Sequence, residues 1–568
     1  MNETERKTQE SAIAERRMDH DTEVAFMLAA ANLLILLVCW RIQGIQADES
    51  TYIYGALEML KGKSIYRDFW VFYPPGIFFL AMAAFALLGK TLFSVRLVLI
   101  LGASATTAAL YLLGRRFLSR FPSAAGAIFF MTAGVNLWPV FGHHWNSTFA
   151  LIISVYFRAR FLEQSENRFL AWSGLFAGAT LLLQLHKGIP LVAAVLLIIL
   201  LRVTMDGESG VHRFTCFAKT GLIFLCWSLI PAALALAYLA KCGVMRETFE
   251  AVILFPFRQL TGIGNPDYGV PYAAYTVGVI SNLMKFLNVR WLTGISVYAV
   301  AFTITVAAPI SAVLAPVVLL QKKKRLSRES FQVPLFVSIA ALACLVGSFG
   351  RPDFHHLVTA APLGYMTLAF LCCWNTPREN GNRRFKLSAI PLRATFVVLF
   401  AASIWTGAGT LIYGLHVKTI YFDSPLGFIA LAPEKVPDPT ASTPYESLIT
   451  FVKMNTAPDE AIFTMPSSPF LYYLTDRENA TRYTMLMSSL RDRRQMDEII
   501  AALEEDQTRW VILDPAASWM QYKAALPYAD EEEFRRNPLL LYVRTNYRKV
   551  ADYGGFKVME RAEPASAR

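Results

Sequence analysis

Long apolar segments alternate with short polar segments over residues 25–413 of this chain of 568 residues. Many of the apolar segments have about 20 residues, the length with which a helix crosses about 30 Å of hydrocarbon. We therefore predict a mostly α fold, a polytopic transmembrane bundle with about eleven spans. The segment 77–89, "IFFLAMAAFALLG", is an exception, because about 13 residues are too few to cross. For it we predict a re-entrant helix or one that lies on the membrane surface.

The pattern changes after residue 413. "YESLITFVKMN" and "RQMDEIIAALEED" have apolar residues at helical spacing, whereas "AIFTM" and "WVILD" are typical of short buried strands. We predict a small α/β domain over residues 414–568, after a transmembrane domain over 25–413 and a charged N-terminal tail over 1–24.

Composition and charge support a membrane protein. Charged residues make up 17% of the chain, against about 25% in soluble domains. The net charge of +11 would suit a nucleic-acid partner, but the basic residues cluster in short loops such as "GRRFLSR", "QKKKRLSR" and "NGNRRFK". That distribution is typical of cytoplasmic loops and argues against nucleic-acid binding. If the basic loops are cytoplasmic, the other polar segments and the C-terminal domain lie on the outer membrane face.

The first outer segment is "QADESTYIYGALEMLKGKSIYRDFWVFYPPG", residues 46–76. Its start predicts a short amphipathic interfacial helix that ends at Gly62. Asp48 either caps this helix or acts as a general base or metal ligand. The cluster Tyr66, Arg67 and Asp68 is either an aromatic membrane belt with an Arg67–Asp68 pair, or part of a substrate-binding surface.

Three further polar clusters fall on the same face. They comprise His143, His144 and Asn146 in "GHHWNS", His186 and Lys187 in "LHKGIP", and Arg351, Asp353, His355 and His356 in "GSFGRPDFHH". The histidines and Asn146 suit a metal, a phosphate or a hydroxyl group. Lys187 either extends to lipid headgroups or neutralises an anionic leaving group. The last cluster either locks a turn through an Arg351–Asp353 pair or binds substrate, since ionisable residues at a membrane are costly unless functional.

The first outer segment, continued by "LLGKTLFSVRLVLILGA", resembles the polytopic GT-C glycosyltransferases. The resemblance is to the bacterial family 39-like branch, related to protein O-mannosyltransferases and lipid A aminoarabinose transferase. Over about residues 25–160 the matching positions are Asp48–Glu49, Ala56–Gly62, Tyr66–Asp68, Pro74–Gly76 and Arg96. The resemblance implies transfer of a sugar from a polyprenyl-phosphate donor to an envelope lipid, glycan or protein. It places the enzyme in the bacterial inner membrane, with its catalytic face and C-terminal domain outside.

The resemblance also implies that Asp48, with Glu49 beside it, is the catalytic carboxylate. A second family carboxylate is replaced here by "GHHWN", so a divalent Mg²⁺ or Mn²⁺ would take its ligands from Asp48, His143 and His144. A single displacement by this hexosyl- or pentosyltransferase would invert the anomeric carbon. Two alternatives stay open: a transporter or flippase of lipid-linked saccharides, which would place ionisable groups in mid-span, and a non-catalytic envelope scaffold.

Overall fold

The structure is a computed structural model. It describes residues 3–205, 210–260, 270–284, 287, 289–348, 353–373, 390–416, 421–424, 427–430, 444–486, 492–520, 523 and 530–562. The chain forms two compact units, each made of three separate segments. The first unit is Met1–Trp40, Leu97–Leu234 and Tyr268–Val417, and the second is Arg41–Arg96, Ala235–Asp267 and Lys418–Arg568.

Helices dominate the chain up to His416. In order they are α1 (Glu3–Cys39), α2 (Ala47–Leu60), α3 (Gly76–Leu88), α4 (Leu92–Gly114), α5 (Arg120–Thr132), α6 (His143–Gln164), α7 (Asn167–Leu183), α8 (Leu185–Met205), α9 (Gly210–Lys241), α10 (Met245–Phe249), α11 (Phe255–Leu260), α12 (Val270–Leu283), α13 (Arg290–Phe302), α14 (Ala308–Lys322), α15 (Arg328–Val346), α16 (Phe354–Ala360), α17 (Pro362–Cys373) and α18 (Ile390–His416). Short π-helical stretches, Glu250–Leu254 and Thr303–Ala307, join α10 to α11 and α13 to α14.

The chain is a multi-pass membrane protein. Among the described residues, 6 helices are long and apolar enough to cross a membrane, and the pair α16 and α17, bent by 57°, makes up to 7. The six lie at Asp19–Cys39, Leu92–Gly114, Leu185–Thr204, Arg213–Lys241, Arg290–Lys322 and Ile390–His416. The other apolar segments are helical but shorter or less apolar, so the count of about eleven spans stays a prediction. Helix α3 has 13 residues, which agrees with the expectation that 77–89 is no ordinary span.

One of the long apolar segments does not form a single helix. The segment 122–141 is not a continuous helix, because α5 ends at Thr132 and a short 3₁₀ turn, Val135–Leu137, follows. Gly134 permits this break, since a Cβ there would lie 2.3 Å from the carbonyl oxygen of Phe130. The Asn136 side chain then donates to the Met131 carbonyl (2.8 Å) and satisfies one end group of the helix.

Small residues bring the helices of the first unit close together. A Cβ on Gly174 would lie 2.5 Å from the carbonyl oxygen of Phe224, and one on Gly178 would lie 2.1 Å from that of Ser228. Both contacts join α7 to α9 through glycines four residues apart, the spacing by which membrane helices pack backbone against backbone.

The second unit contains the predicted α/β domain. Its C-terminal elements are β1 (Tyr421–Ser424), β2 (Gly427–Ala430), α19 (Pro444–Asn455), β3 (Ile462–Met465), α20 (Phe470–Thr475), α21 (Arg493–Glu505), β4 (Trp510–Leu513), α22 (Glu531–Arg535), α23 (Pro538–Asn546), β5 (Tyr547–Tyr553) and β6 (Phe556–Arg561). A four-stranded sheet has the order β3-β4-β6-β5, with β3 and β4 parallel and the other pairs antiparallel. The two predicted helices and two predicted strands are α19, α21, β3 and β4, so the α/β prediction is confirmed.

The β5–β6 hairpin escaped the sequence analysis. Its turn contains Gly554 and Gly555, both with positive φ (60° and 91°). A Gly-Gly pair between two strand-forming segments is a known hairpin pattern, so the sequence does contain the signal for this hairpin.

The core of the second unit includes residues far from its C-terminal segment. Trp70 and Phe255 pack within the same apolar cluster as Phe463, Val511 and the other inward residues of the sheet. The Trp70 backbone N–H donates to the Arg482 carbonyl (2.6 Å). The polar segment after α2 is therefore built into the α/β core, which positions the carboxylates of α2.

Candidate active-site clusters

Asp48 and Glu49 lie in the first turn of α2, in the second unit. The interpretation of Asp48 as the N-cap residue is wrong, because the N-cap position of α2 is occupied by Gln46. Asp48 instead accepts a hydrogen bond through Oδ1 from the Tyr73 hydroxyl (3.0 Å). The helix ends as predicted, with Gly62 at a positive φ of 92° directly after the C-cap.

Glu49 forms a buried ion pair with Arg96 of α4. The guanidinium donates from Nε to Oε1 (2.9 Å) and from NH2 to Oε2 (2.6 Å), and both side chains are fully buried. Arg96 also donates to the carbonyl oxygens of Gln43 and Gly44. This bidentate geometry fixes the start of α2 and neutralises the Glu49 carboxylate.

Aromatic side chains surround Asp48. The Tyr52 ring packs edge-on against Tyr73, with ring centroids 5.3 Å apart. Burial raises the pKa of Tyr52 well above its usual range, and the negative charge of Asp48 raises it further. Tyr52 is therefore a neutral phenol, and the Tyr73 hydroxyl donates to the Asp48 carboxylate beside it.

The cluster after α2 is held by its own hydrogen bonds. The buried Tyr66 donates from its hydroxyl to the Tyr73 carbonyl (2.9 Å). Arg67 Nε donates to Asp68 Oδ1 (3.2 Å), and the Ser64 backbone N–H donates to Asp68 Oδ2 (2.6 Å). The predicted Arg67–Asp68 pair is present, and substrate binding by Tyr66, Arg67 and Asp68 stays a prediction.

A second polar cluster lies within the first unit, where α6, α8 and α16 begin. The imidazoles of His143 and His144 have centroids 3.9 Å apart, and His144 packs edge-on against His356 at 4.6 Å. Asn146 donates to the Gly142 carbonyl (2.9 Å) within the first turn of α6. The structure thus brings together the histidine loops that lie far apart in the sequence.

Asp353 orients this cluster from the start of α16. Its Oδ1 accepts from the His356 backbone N–H (3.1 Å), which caps the helix, and lies 2.7 Å from His356 Nδ1. His355 has its Nδ1 at 3.9 Å from the same oxygen and packs its ring on Trp138, with centroids 4.4 Å apart. Arg351 lies outside the described residues, and so does the predicted Arg351–Asp353 pair.

Lys187 points into the first unit. Its ammonium donates to the His144 carbonyl (3.1 Å) and to Thr148 Oγ1 (2.9 Å), and the residue is 1% exposed. The interpretation that Lys187 extends to lipid headgroups is therefore wrong. Within the part of the chain that the structure describes, no carboxylate pairs with it. A buried cation with neutral partners favours an anionic ligand, because an uncompensated charge costs several kcal/mol.

Two side chains that the sequence analysis did not single out complete these clusters. Gln184, which is 1% exposed, contacts Ser147, His144 and His186 through its amide. Tyr73 holds Asp48. In the sequence, a lone glutamine two residues before His186 is only weak evidence for a site residue. One tyrosine among many interfacial aromatics is weaker evidence still.

A metal site was left open for Asp48, His143 and His144. Over the described ranges, no three His, Cys, Asp or Glu side chains are grouped so that they could hold an ion. A divalent metal held by Asp48, His143 and His144 therefore stays a prediction.

Comparison with known proteins identifies the fold. The sequence model of the family described as dolichyl-phosphate-mannose-protein mannosyltransferase matches residues 73–242. The structure is similar to ArnT from Cupriavidus metallidurans bound to undecaprenyl phosphate, with a TM-score of 0.53 at 12% identity over 95% of this chain and 98% of that one. It is also similar to the apo oligosaccharyltransferase from Archaeoglobus fulgidus, with a TM-score of 0.52 at 11% identity over 96% of this chain and 74% of that one. The sequence matches no curated protein. The polytopic helical fold with a small C-terminal α/β domain, which the sequence predicts, is the fold that this chain shares with these two proteins.

Proposed function

We propose that this protein is a membrane glycosyltransferase that transfers a hexose or pentose from polyprenyl phosphate to an envelope lipid, glycan or protein. The observation that carries the proposal is Asp48, a carboxylate held by the Tyr73 hydroxyl at the start of α2 in a GT-C fold. The match of residues 73–242 to a mannosyltransferase family supports the same class of reaction. The likeness to ArnT, which was crystallised with undecaprenyl phosphate, supports a lipid phosphate as carrier.

Asp48 is the proposed general base. Its carboxylate accepts the proton of the acceptor hydroxyl or amine while that oxygen or nitrogen bonds to the anomeric carbon. The bond from that carbon to the phosphate oxygen breaks, and the polyprenyl phosphate leaves with the electron pair. One displacement of this kind inverts the anomeric configuration.

Lys187 is the proposed partner of the phosphate. Its buried ammonium has only neutral acceptors among the described residues, and charge that develops on a leaving phosphate is stabilised by such a cation. For Glu49 we propose a structural role beside Asp48, since both of its oxygens accept from Arg96.

The proposed location is the bacterial inner membrane. The basic loops support a cytoplasmic N-terminal tail, and residues after about 414 then lie on the periplasmic side of the membrane. Fusions of a periplasm-active reporter after residue 416 should be active, and fusions after residue 205 should be inactive.

The experiment that tests the function uses purified protein and a panel of radiolabelled polyprenyl-phosphate sugars. The natural protein should release or transfer the sugar of one donor with inversion. Asp48→Asn should lower that rate about 100-fold or more, the usual contribution of a general base. Asp497→Asn, which removes only a surface ion pair with Arg493, is the control and should leave the rate unchanged. An Asp48→Asn protein that is folded and fully active would exclude the assignment.

A further inference from the structure

Gln184 occupies the single residue between α7 and α8. Its backbone is extended there, with φ −160° and ψ 105°, and its side chain is 1% exposed. A buried primary amide needs partners for both its oxygen and its NH2 group. Those partners come from the two neighbouring helices, α6 and α8.

One end of the Gln184 amide faces two imidazoles. Nε2 lies 3.2 Å from His144 Nδ1 and 2.6 Å from His186 Nε2. The other end, Oε1, lies 2.6 Å from the Ser147 hydroxyl. The single proton of this hydroxyl lies within reach of both that oxygen and the His144 carbonyl (2.9 Å), and the shorter contact is to Oε1. When Ser147 donates to Oε1, the whole amide is satisfied.

Because one end of the amide faces both rings, the two ring nitrogens that face it must have the same protonation. An amide end is either NH2, which donates twice, or a carbonyl oxygen, which accepts twice. His144 Nδ1 and His186 Nε2 therefore both accept or both carry a proton. With the NH2 group facing them, as the hydrogen-bond network assigns it, both accept. The ring protons are then on His144 Nε2 and His186 Nδ1, and neither ring is an imidazolium.

The charges around His144 and His186 favour neutral rings. The Lys187 ammonium donates to the His144 carbonyl (3.1 Å), and the His143 and His356 rings pack against His144. Asp353 is the carboxylate beside His356. Further positive charge in this buried cluster would be costly, whereas neutral rings with defined N–H groups can still donate to an anion.

We propose that Gln184 is a positioning residue that keeps His144 and His186 neutral and sets which nitrogen of each ring carries the proton. The rings then serve as N–H donors to the phosphate of the lipid-linked donor, beside the Lys187 ammonium. This inference rests on the proposed function, because that reaction supplies the phosphate.

The test reads the ring protons directly. Protein with ¹⁵N-labelled histidine, of which the chain has 8, is placed in lipid nanodiscs, and undecaprenyl phosphate is the probe ligand. In Gln184→Glu the carboxylate only accepts, so two ring nitrogens should change from the acceptor to the N–H chemical-shift range. In Gln184→Met, which cannot hydrogen-bond in this way, the same two rings should lose their single tautomer.

The affinity for undecaprenyl phosphate should fall about tenfold or more in both variants, the size of effect found when a partner that orients a metal-binding histidine is removed. Thr180→Val is the matched control, since Thr180 is buried on α7 and its hydroxyl donates to the Phe176 carbonyl of its own helix (2.8 Å). It should leave both the spectrum and the affinity unchanged.

The outcomes separate this inference from the proposed function. Unchanged histidine spectra in folded Gln184→Glu and Gln184→Met proteins would overturn the positioning role, whether or not the enzyme transfers sugar. Altered spectra with unchanged affinity would overturn the assignment of the rings to the phosphate. Altered spectra in a protein whose natural form binds no undecaprenyl phosphate would support the positioning role and count against the proposed donor.

Discussion

The adjacent carboxylates Asp48 and Glu49 have different surroundings, although they share one helical turn. Glu49 is enclosed and paired at both oxygens with Arg96. Asp48 accepts a hydrogen bond from the Tyr73 hydroxyl. The bidentate pair gives Glu49 a structural part in holding the start of α2, and the role of Asp48 as general base stays a proposal.

Glu49→Gln should lower the free energy of unfolding by about 3–5 kcal/mol, because it removes the carboxylate that pairs at both oxygens with the buried Arg96 guanidinium. Thermal unfolding in detergent measures the loss. The double variant Glu49→Leu with Arg96→Met removes both charges and should recover most of the stability. A double variant no more stable than Glu49→Gln would contradict the structural role, and its sugar transfer rate tests directly whether Glu49 is needed for catalysis.

Glu498 in α21 should make stability depend on pH. Burial alone would raise its pKa, but hydrogen bonds from the Tyr483 hydroxyl (2.5 Å) and Arg482 (2.8 Å) outweigh burial and lower it. A lowered folded-state pKa gives stability that is present above the unfolded value of about 4.3 and is lost as the pH falls through the folded value.

Glu498→Gln should therefore be less stable than the natural protein at pH 7 and match it at pH 3, as followed by thermal unfolding against pH. Glu505→Gln, an exposed carboxylate on the same helix, is the control and should follow the natural profile. A constant difference between Glu498→Gln and the natural protein from pH 7 to pH 3 would contradict the expectation.

At the scale of elements, helices of the first unit approach each other where side chains are smallest. Gly174 and Gly178 let α7 touch the backbone of α9. The break at Gln184 turns α7 directly into α8. Together they place the first residues of α8, including Lys187, beside the start of α6.

Gly178→Ala should destabilise the protein by about 1–3 kcal/mol, because the added Cβ would lie 2.1 Å from the Ser228 carbonyl oxygen and the helices must separate. Gly294→Ala in α13 is the matched control, as its Cβ meets nothing within 4 Å. That variant should gain about 0.5–1 kcal/mol from helix propensity. Thermal unfolding measures both variants. Equal shifts of their unfolding temperatures in the same direction would show that the α7–α9 contact is not tight.

At the scale of the whole molecule, both units are assembled from segments distant in the sequence. In the second unit, the Trp70 ring packs on Phe255 (centroids 4.6 Å apart) and on Tyr483 (5.6 Å). The α/β core therefore includes the segment that continues from α2, the helix that carries the proposed base Asp48. This packing gives the C-terminal residues a structural link to Asp48 within one unit.

Trp70→Ala should destabilise the second unit by about 3–5 kcal/mol, the usual cost of removing a buried tryptophan from a core. It should also lower sugar transfer, because α2 loses its anchor. The rate of trypsin cleavage after residue 444 and the transfer rate measure the two effects. Trp291→Ala, at a position 70% exposed, is the control. Cleavage and transfer rates equal to those of the control would contradict the link.

Local pattern alone determined a large part of this protein. Apolar length located the membrane helices, short apolar runs located β3 and β4, and the residues around Asp48 showed the resemblance to GT-C glycosyltransferases. These features are local, because helix and strand periods repeat within a few residues. The histidine, lysine and acidic residues of the two clusters were also identified, since ionisable groups at a membrane edge stand out in composition.

Only the tertiary structure decided what those residues do. Glu49 pairs with Arg96, which lies 47 residues away in the sequence, and Lys187 donates a hydrogen bond to Thr148, which lies 39 residues away. Trp70 joins the core of strands nearly 400 residues later, as Gln184 joins three side chains on two other helices. Such partners lie far apart along the chain, and a short sequence pattern does not encode which distant groups will meet. Burial then fixes their roles, because a buried charge or amide must find a partner where the fold places one.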